Sequence, residues 1–364
     1  MENDLINVYV YNKEFQLVTV VDSYYTLIWT DRYDEAGEFE LELPYTMANL
    51  DILQAGYYLK IAQSDRCMII ERFETDVSED EPPKLMVKGP SLESILNRRV
   101  TDKVEFGNEQ NDTKANVQDA IRTLIQTNII SPSNSNRRIS NFIFETSTDQ
   151  QVTKKTFIDS YDGDNLYDII SDICQEKHIG FRVLLNDEDQ FVFSLYHGAD
   201  RSLEQSENLY VSFSPFYDNM KSSNYFRTYE EFKNVMIVSK SENDRKIVPL
   251  ESSEPAGLER REIHVSVDDL KKNRNANLSD SDIQTKGKRK LKLDYKIKTG
   301  FEGEIIPHVM YEYREHFFIG DKIQFTDIFG NTEPVRISEI VITYDENGLS
   351  LIPTFTEVEN EEDD

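Results

Sequence analysis

The chain has 364 residues, 38% of them hydrophobic, with 20 Phe and 19 Tyr, so two to four packed domains with an aromatic bias toward strands are expected. Lys and Arg number 40 against 68 Asp and Glu, a net charge of -28; such a surface repels nucleic acid and anionic membrane, which argues against a DNA-binding protein but not against one that lets DNA slide past. Cys67 and Cys174 are the only cysteines, each in an apolar run, so neither a disulfide framework nor a zinc site is expected and a reducing compartment of synthesis fits.

The Met1-Glu2-Asn3-Asp4 start has no basic region or long apolar stretch, so no signal peptide is expected, and no run approaches the length of a membrane span. Leu5 to Val21 reads as two strands around an Asn12-Lys13-Glu14 turn, and Tyr24 to Trp29 as a third. Glu38 to Leu43 alternates strictly, with Phe39, Leu41 and Leu43 on one face and glutamates on the other; Pro44 ends it. Leu53-Gln54-Ala55-Gly56 then leads into Tyr57 to Ala62, followed by Cys67 to Phe73, an acidic turn, and Leu85 to Gly89. Strands so closely spaced, with turn residues between them, indicate a small antiparallel barrel or sandwich over 1–99. A short helix capped by Ser91 closes it.

An Asn-rich stretch from Phe106 to Thr113 marks a boundary near residue 100. A helix is expected from a cap at Asp112 or Thr113, with Val117, Ala120, Ile121, Leu124 and Ile125 at helical spacing. A second helix begins near Asn165, with Leu166, Ile169, Ile170 and Ile173 on one face, and Gly180 stops it. Phe181 to Leu185 and Gln190 to Tyr196 form a hairpin around Asn186-Asp187-Glu188-Asp189. These compose an α+β domain over 100–221.

Strand character resumes from Asn224 to Val238, is broken by a polar insertion over 251–289 with a helix after Ser279-Asp280, and returns from Leu291. Phe317-Phe318-Ile319-Gly320-Asp321 then leads into Lys322 to Phe329, a Gly330-Asn331 turn, the alternating run Pro334 to Ile342, and a reversal at Asp345-Glu346-Asn347-Gly348. This plan repeats that around Gly56. The expected fold is mainly β with α+β parts. It has two related antiparallel β-barrel domains, the second discontinuous over 222–250 and 290–356, and an inserted α+β domain. An acidic tail covers 357–364.

Candidate chemistry is sparse. The five histidines are His178, His197, His264, His308 and His316, none at metal-binding helical spacing; His308 and His316 could share a face near Glu312 and Glu315. There is no nucleophile elbow, phosphate loop or dinucleotide fingerprint, and no carboxylate pair stands out among 68 acids. Tyr161-Asp162-Gly163-Asp164-Asn165 hints at a calcium loop but lacks the spaced acidic ligands and distal Glu, so a turn and helix cap explain it better. Asp200-Arg201 reads as a local salt bridge or turn. The basic cluster Lys286, Lys288, Arg289, Lys290 and Lys292 could meet phosphates or an acidic partner, but reads better as a solvated helix end balancing nearby acids. No catalytic, cofactor or metal residue is assigned, and the chain is expected not to be an enzyme.

Several segments, in order along almost the whole chain, carry a family resemblance. They are Ile28-Trp29-Thr30-Asp31-Arg32-Tyr33 with Gly37 to Leu41; Ile69-Ile70-Glu71 with Val87-Lys88-Gly89 and Ile95 to Val100; and Asp164-Asn165-Leu166 through Gly180-Phe181. Then come Tyr196-His197-Gly198-Ala199-Asp200-Arg201-Ser202, Phe213-Ser214 with Asn219-Met220, Phe232 to Val235, and Ile319-Gly320-Asp321-Lys322-Ile323 with Val335 to Ile340. Together they resemble the baseplate-hub, or tail-associated (tail-tip), proteins of siphophages.

The resemblance implies a homotrimeric hub with two related barrels per subunit. It would close the tail below the distal tail protein ring and surround the channel through which DNA leaves. Its partners would be that ring, the tape measure protein and further tail-tip or receptor-binding proteins, with DNA only in passage and no stable membrane insertion. Its place would be the virion tail tip, after synthesis in the host cytoplasm. Three chains with two similar barrels each offer six similar surfaces to a six-fold tube. Many relatives carry a C-terminal enzymatic or adhesin extension, whereas this chain stops after the second barrel, so such roles would fall to another protein. A tail-associated cell-wall or glycan hydrolase is the alternative, as is a carbohydrate-binding module using Tyr161 and Tyr167. A lumen carrying its share of the acids would leave DNA no sticky wall.

Overall fold

Alternation at Glu38–Pro44 produces a strand with Phe39, Leu41 and Leu43 buried and the glutamates between them turned outward. Each such fully buried side chain contributes roughly 1.5–3 kcal/mol. The computed structural model describes every residue except 1–4, 77–81, 109–110, 112, 242–243, 271–277, 331 and 359–364. The acidic turn after Phe73, the possible cap Asp112, the turn residue Asn331 and nearly all of the acidic tail lie outside the described residues.

The mainly β architecture, with α+β parts, is built on one large sheet. Its path runs Asn224–Thr228, Lys298–Glu302, Gly348–Glu357, Thr332–Asp345, Thr26–Arg32, Glu38–Pro44, Lys84–Pro90, Arg72–Asp76. Every neighbour along that path is antiparallel. The first half comes from the C-terminal β unit and the second from the N-terminal one. The seam between them pairs Thr26–Arg32 with Thr332–Asp345, Trp29 lying opposite Ile342. A smaller sheet, Leu17–Val21, Val8–Tyr11, Tyr58–Lys60 and Met68–Ile69, faces the N-terminal half. One apolar core spans both units, from Ile6 and Trp29 to Ile342 and Phe355.

The echo between Gly56 and Gly320 is geometrical. Both glycines take positive φ, 81° and 91°, the left-handed region that a Cβ disfavours. Gly56 N donates to Ile70 O at 2.7 Å and Ile70 N to Tyr57 O at 2.9 Å. Gly320 N donates to Ile337 O at 2.8 Å and Ile337 N to Asp321 O at 3.0 Å. From these anchors the four strands that each unit gives to the large sheet correspond one to one. Thr26–Arg32 matches Asn224–Thr228, Glu38–Pro44 matches Lys298–Glu302, Arg72–Asp76 matches Thr332–Asp345, and Lys84–Pro90 matches Gly348–Glu357. In this register Trp29 beside Phe39 corresponds to Tyr225 beside Phe301, and both ring pairs are in contact, at 6.2 and 4.8 Å.

The α+β unit packs helices Val117–Ile125 and Leu166–Glu176 around the sheet Phe142–Glu145, Phe191–Tyr196, Gly180–Leu185. Asn116 caps the first helix, its side chain accepting from Asp119 N, where Asp112 or Thr113 is expected from sequence. Thr113 is instead bridged to Asn108. Ser91 is not a side-chain cap either: its Oγ accepts from Gly37 N at 2.8 Å, tying the 3-10 helix Leu92–Arg98 to the N-terminal unit. That short helix buries Leu92, Ile95 and Leu96 in the α+β core, so this core begins before residue 100. It ends before 221, because Ser212–Phe213 pairs in parallel with Lys322–Thr326 and Phe213 lies in the large β core.

The insertion also has different limits from those expected. Val235–Ser241 and Asp244–Pro249 form a separate sheet with Glu262–Ser266, rather than continuing the second β unit to residue 250. Met236, Val238, Val248 and Val265 pack there against Ile283 and Leu291 of the helix Asp280–Asp294. Ser279 caps that helix with a full capping box, as the sequence indicates, but it runs past residue 290 before strand structure returns at Lys298.

Candidate functional site: the junction around Tyr33

Three units meet at Tyr33, which directly follows the strand Thr26–Arg32. Its N donates to Ser338 O at 2.9 Å, and its O accepts from Phe181 N at 3.1 Å. Its ring lies between two glycine backbones. A Cβ on Gly180 would come within 2.4 Å of the ring, and one on Gly320 within 2.5 Å. The ring is held from the far end, because the Tyr33 hydroxyl donates to His197 O at 2.8 Å. Arg336 stacks over it at 5.2 Å and donates to His197 O at 2.6 Å and Gly320 O at 2.7 Å. Gly198 completes the set, since a Cβ there would stand 2.2 Å from Gly320 O.

Charges fasten the same seam. Asp321 accepts from Arg201 Nε at 2.6 Å and from Ala199 N at 2.7 Å, while Lys322 reaches Asp200 at 3.2 Å. Asp200 and Arg201 are thus crossed onto Lys322 and Asp321 rather than acting as a local pair. Gly180 does not stop the preceding helix. That helix ends at Glu176, His178 takes the left-handed turn at φ 54°, and Gly180 opens the next strand. Glycine is needed at 180 because of the Tyr33 ring.

A buried polar layer lies beneath. Asp31 is fully buried and accepts from Trp29 Nε1 at 3.2 Å, Ser64 Oγ at 2.8 Å and Tyr313 OH at 3.0 Å. Burial pushes its carboxyl up to about 6, against the pull of the nearby Arg66 guanidinium. Arg66 in turn pairs with Glu93, both side chains buried. Arg66 also donates to Arg32 O at 3.0 Å and Tyr196 OH at 3.2 Å, and Glu93 accepts from Val183 N at 3.0 Å. Chemically the junction is a joint: the hydrogen bonds named above hold three units together, and Glu93 Oε2 is a buried oxygen left without a hydrogen-bond partner among the described residues.

Replacing Gly320 by alanine tests this directly. Gly348 also has positive φ, 98°, but nothing within 4 Å of its would-be Cβ. Gly320→Ala is expected to cost about 2 kcal/mol more than Gly348→Ala in urea unfolding, the surplus being the overpacking against Tyr33.

Residues 7–355 match the family described as Siphovirus ReqiPepy6 Gp37-like protein. The chain belongs to that family. No curated protein sequence matches. In fold, this Gp37-like chain is similar to the 43 kDa tail protein of prophage MuSo2 from Shewanella oneidensis (TM-score 0.56, 10% identity, covering 97% of this chain and 98% of that one). It is also similar to the tail protein from Neisseria meningitidis MC58 (TM-score 0.55, 12% identity, 97% and 96%), and to a chain of the lidded Francisella PdpA-VgrG complex (TM-score 0.50, 12% identity, 98% and 53%). It is a siphovirus protein with the fold of phage tail proteins.

The remaining candidates of this Gp37-like chain fall elsewhere. His308 Nδ1 lies 3.0 Å from Glu312, and His316 Nδ1 accepts from Glu312 N at 2.9 Å; His264 bonds Ser239 at 2.8 Å. Among the described residues no group of three or more His, Cys, Asp or Glu is placed to hold a metal ion, and no helix is long and apolar enough to cross a membrane. In the calcium-like loop, Asp164 accepts from Asp162 N and Asn165 caps the next helix, which is the turn-and-cap arrangement. Tyr161 is buried, and the Tyr167 hydroxyl accepts from Ala36 N at 2.8 Å, so both are used in packing.

The basic cluster has an internal use that composition could not reveal. Arg289 reaches Asp159 at 2.7 Å and Glu176 at 3.2 Å, and Lys286 reaches Asp159 at 3.5 Å. These two residues dock the insertion helix on the α+β unit, while Lys290 pairs with Asp294 within the helix.

Proposed function

We propose that the chain is a structural virion protein, the homotrimeric hub at the tail tip of a long-tailed phage. It closes the tube below the distal tail protein, adapts six-fold to three-fold symmetry and surrounds the DNA exit channel. The observation that carries this reading is the internal duplication: two β units with matching strand order and matching glycine hydrogen-bond pairs, joined in one sheet. Three chains then present six similar units to a hexameric ring, which closed symmetry favours. The tape measure protein and receptor-binding proteins are its further partners.

The charge pattern supports a wall past which DNA slides. On the outward face of the large sheet, acids and bases are laddered into ion pairs: Lys88 with Glu40 and Glu74, Lys84 with Glu42, and Arg32 with Glu38 and Glu339. Five glutamates stand there against three bases, each of which is paired, so phosphates meet no row of free cations. The chain performs no hydrolysis in this reading.

Light scattering at micromolar concentration should give three times the 42.4 kDa chain mass, and mixing with the distal tail ring should give a larger assembly. A stable monomer that ignores the ring overturns the hub. Zymograms on cell-wall substrate should stay blank; a cleared band would make the chain a hydrolase.

A further inference from the structure

The insertion joins the rest of the chain through a single neck. It leaves the large sheet after Asn224–Thr228 and re-enters at Lys298–Glu302, and these two strands are paired, Thr228 opposite Lys298. The two passages run side by side. Lys233 N donates to Tyr295 O at 3.0 Å, and Arg261 stacks over Tyr229 and Phe232, 5.8 Å from each ring. Beyond the neck lies a body with its own sheet and its own core, Met236, Val238, Val248, Val265, Ile283 and Leu291. A body hung on one paired neck rotates as a unit once its far contacts let go.

Those far contacts are charges. Among the described residues the insertion core and the α+β core are separate apolar clusters with no residue in common. Across the gap Arg289 reaches Asp159 and Glu176, and Lys286 reaches Asp159. Lys286 also donates to Ser160 O at 3.3 Å and stands 5.7 Å over the Tyr161 ring. The fit is incomplete. The Arg289 side chain is only 13% exposed, yet among the described residues its Nε and Nη2 have no hydrogen-bond partner. A guanidinium taken out of water with donors unfilled gains less from its ion pairs, and water fills every N–H group when the contact opens. The docked state is therefore favoured by a small margin, as a polar interface between bodies of one chain generally is.

Beside this contact the insertion roofs a cavity of about 270 Å³. Leu293 of its helix and Lys296 just after it form one wall, and Asp34, Gln175, His178 and Arg336 stand on the side of the Tyr33 joint.

We propose that the insertion is a hinged lid over the Tyr33 joint, swinging on the neck at Thr228 and Lys298 and latched by Arg289 and Lys286. Opening exposes the cavity to solvent and leaves both apolar cores whole. It also leaves the joint fastened, because the groups that hold Tyr33, namely Ser338, Phe181, His197 and Arg336, lie outside the insertion. The lid is a property of the single chain and does not rest on the hub reading.

Distances between two spin labels test it. One label goes on Asp168→Cys, exposed on the helix Leu166–Glu176, and one on Arg245→Cys, exposed on the insertion strand Asp244–Pro249. Cys67 and Cys174 are fully buried and take no label. Labelled chains are diluted in excess unlabelled chain, so that only distances within one chain are read. Two populations are expected, a major docked one and a minor longer one. Arg289→Ala with Lys286→Ala should raise the longer population at least fivefold, whereas Lys292→Ala, at an exposed position of the same helix, should leave it unchanged. Asp159→Asn weakens the latch from the α+β side without touching the insertion, and should shift the populations in the same direction. One distance population that the latch variants do not alter overturns the lid. A longer distance in the Arg289/Lys286 variant without any shift in Asp159→Asn means that the insertion has unfolded rather than swung, and overturns it too.

Discussion

Glu93→Ala is expected to cost about 3–5 kcal/mol of folding free energy, the largest effect of any single substitution at the junction. The Arg66 and Glu93 side chains are only 2% and 1% exposed. Removing the carboxylate strands a guanidinium away from water and also leaves Val183 N without the oxygen it donates to at 3.0 Å. The Arg66 head still has Arg32 O and Tyr196 OH, and Asp65 lies 3.9 Å from its Nε, but neutral acceptors and a more distant carboxylate do not replace the close counter-ion in a low-dielectric site. The effect reaches across units, because Arg66 belongs to the N-terminal β unit and Val183 to the α+β sheet. Removing both charges, as Arg66→Met with Glu93→Leu, should cost less than either single change, since the buried pair goes together and Asp31, which loses its nearby cation, can take up a proton instead. Urea unfolding of the three variants measures this. A loss below about 1 kcal/mol for Glu93→Ala would mean that water reaches the pair.

Much of the architecture was legible in the sequence because strand alternation is a direct physical signal. Phe39, Leu41 and Leu43 announced one buried face, and the Gly56 and Gly320 turns announced a repeated plan. What the pattern could not say is which sheet a strand joins. Val235–Ser241 has the β-branched run of a core strand, yet it pairs within the insertion; periodicity carries no information about partners. Gly180 misled for a related reason. A glycine after a helix resembles a stop, but here it makes room for a ring 147 positions earlier in the chain, at Tyr33. The motif stretches around Tyr33, Gly180, Gly198 and Gly320 were visible one by one, and only the fold brings them to one point. Arg66, Glu93 and Asp31 gave no signal, since one buried acid cannot be told from solvated ones among 68. The basic helix face was visible, but its docking to Asp159 required knowing that two distant elements pack together.

Acidification from pH 7.5 to 4 should stabilise the chain at Asp31. Its carboxyl titrates near 6 when folded, against 3.8 for the ordinary group. The folded chain therefore keeps this proton through a range where the unfolded chain has lost it. That stabilising difference is fully present below 3.8, declines as pH rises toward 6, and is gone above it. The span of 2.2 units, from 3.8 to 6, is worth about 3 kcal/mol at 1.4 kcal/mol per unit. Other carboxylates act in both directions: burial also pushes Asp34 up to about 7 and raises Asp321, while Lys240 and Lys246 hold Asp280 below its usual range and Lys221 does the same for Glu304. A difference measurement removes them. Asn at position 31 resembles the protonated acid in shape and cannot titrate, so Asp31→Asn should gain on the parent by up to about 3 kcal/mol between pH 4 and pH 7.5. Tyr313 OH and Trp29 Nε1 can still donate to the amide oxygen, and Ser64 Oγ can accept from the amide nitrogen. Unfolding curves for both proteins at a series of pH values give the difference directly. If it stays constant across the window, Asp31 is charged throughout, and the nearby Arg66 outweighs the burial that otherwise favours the proton.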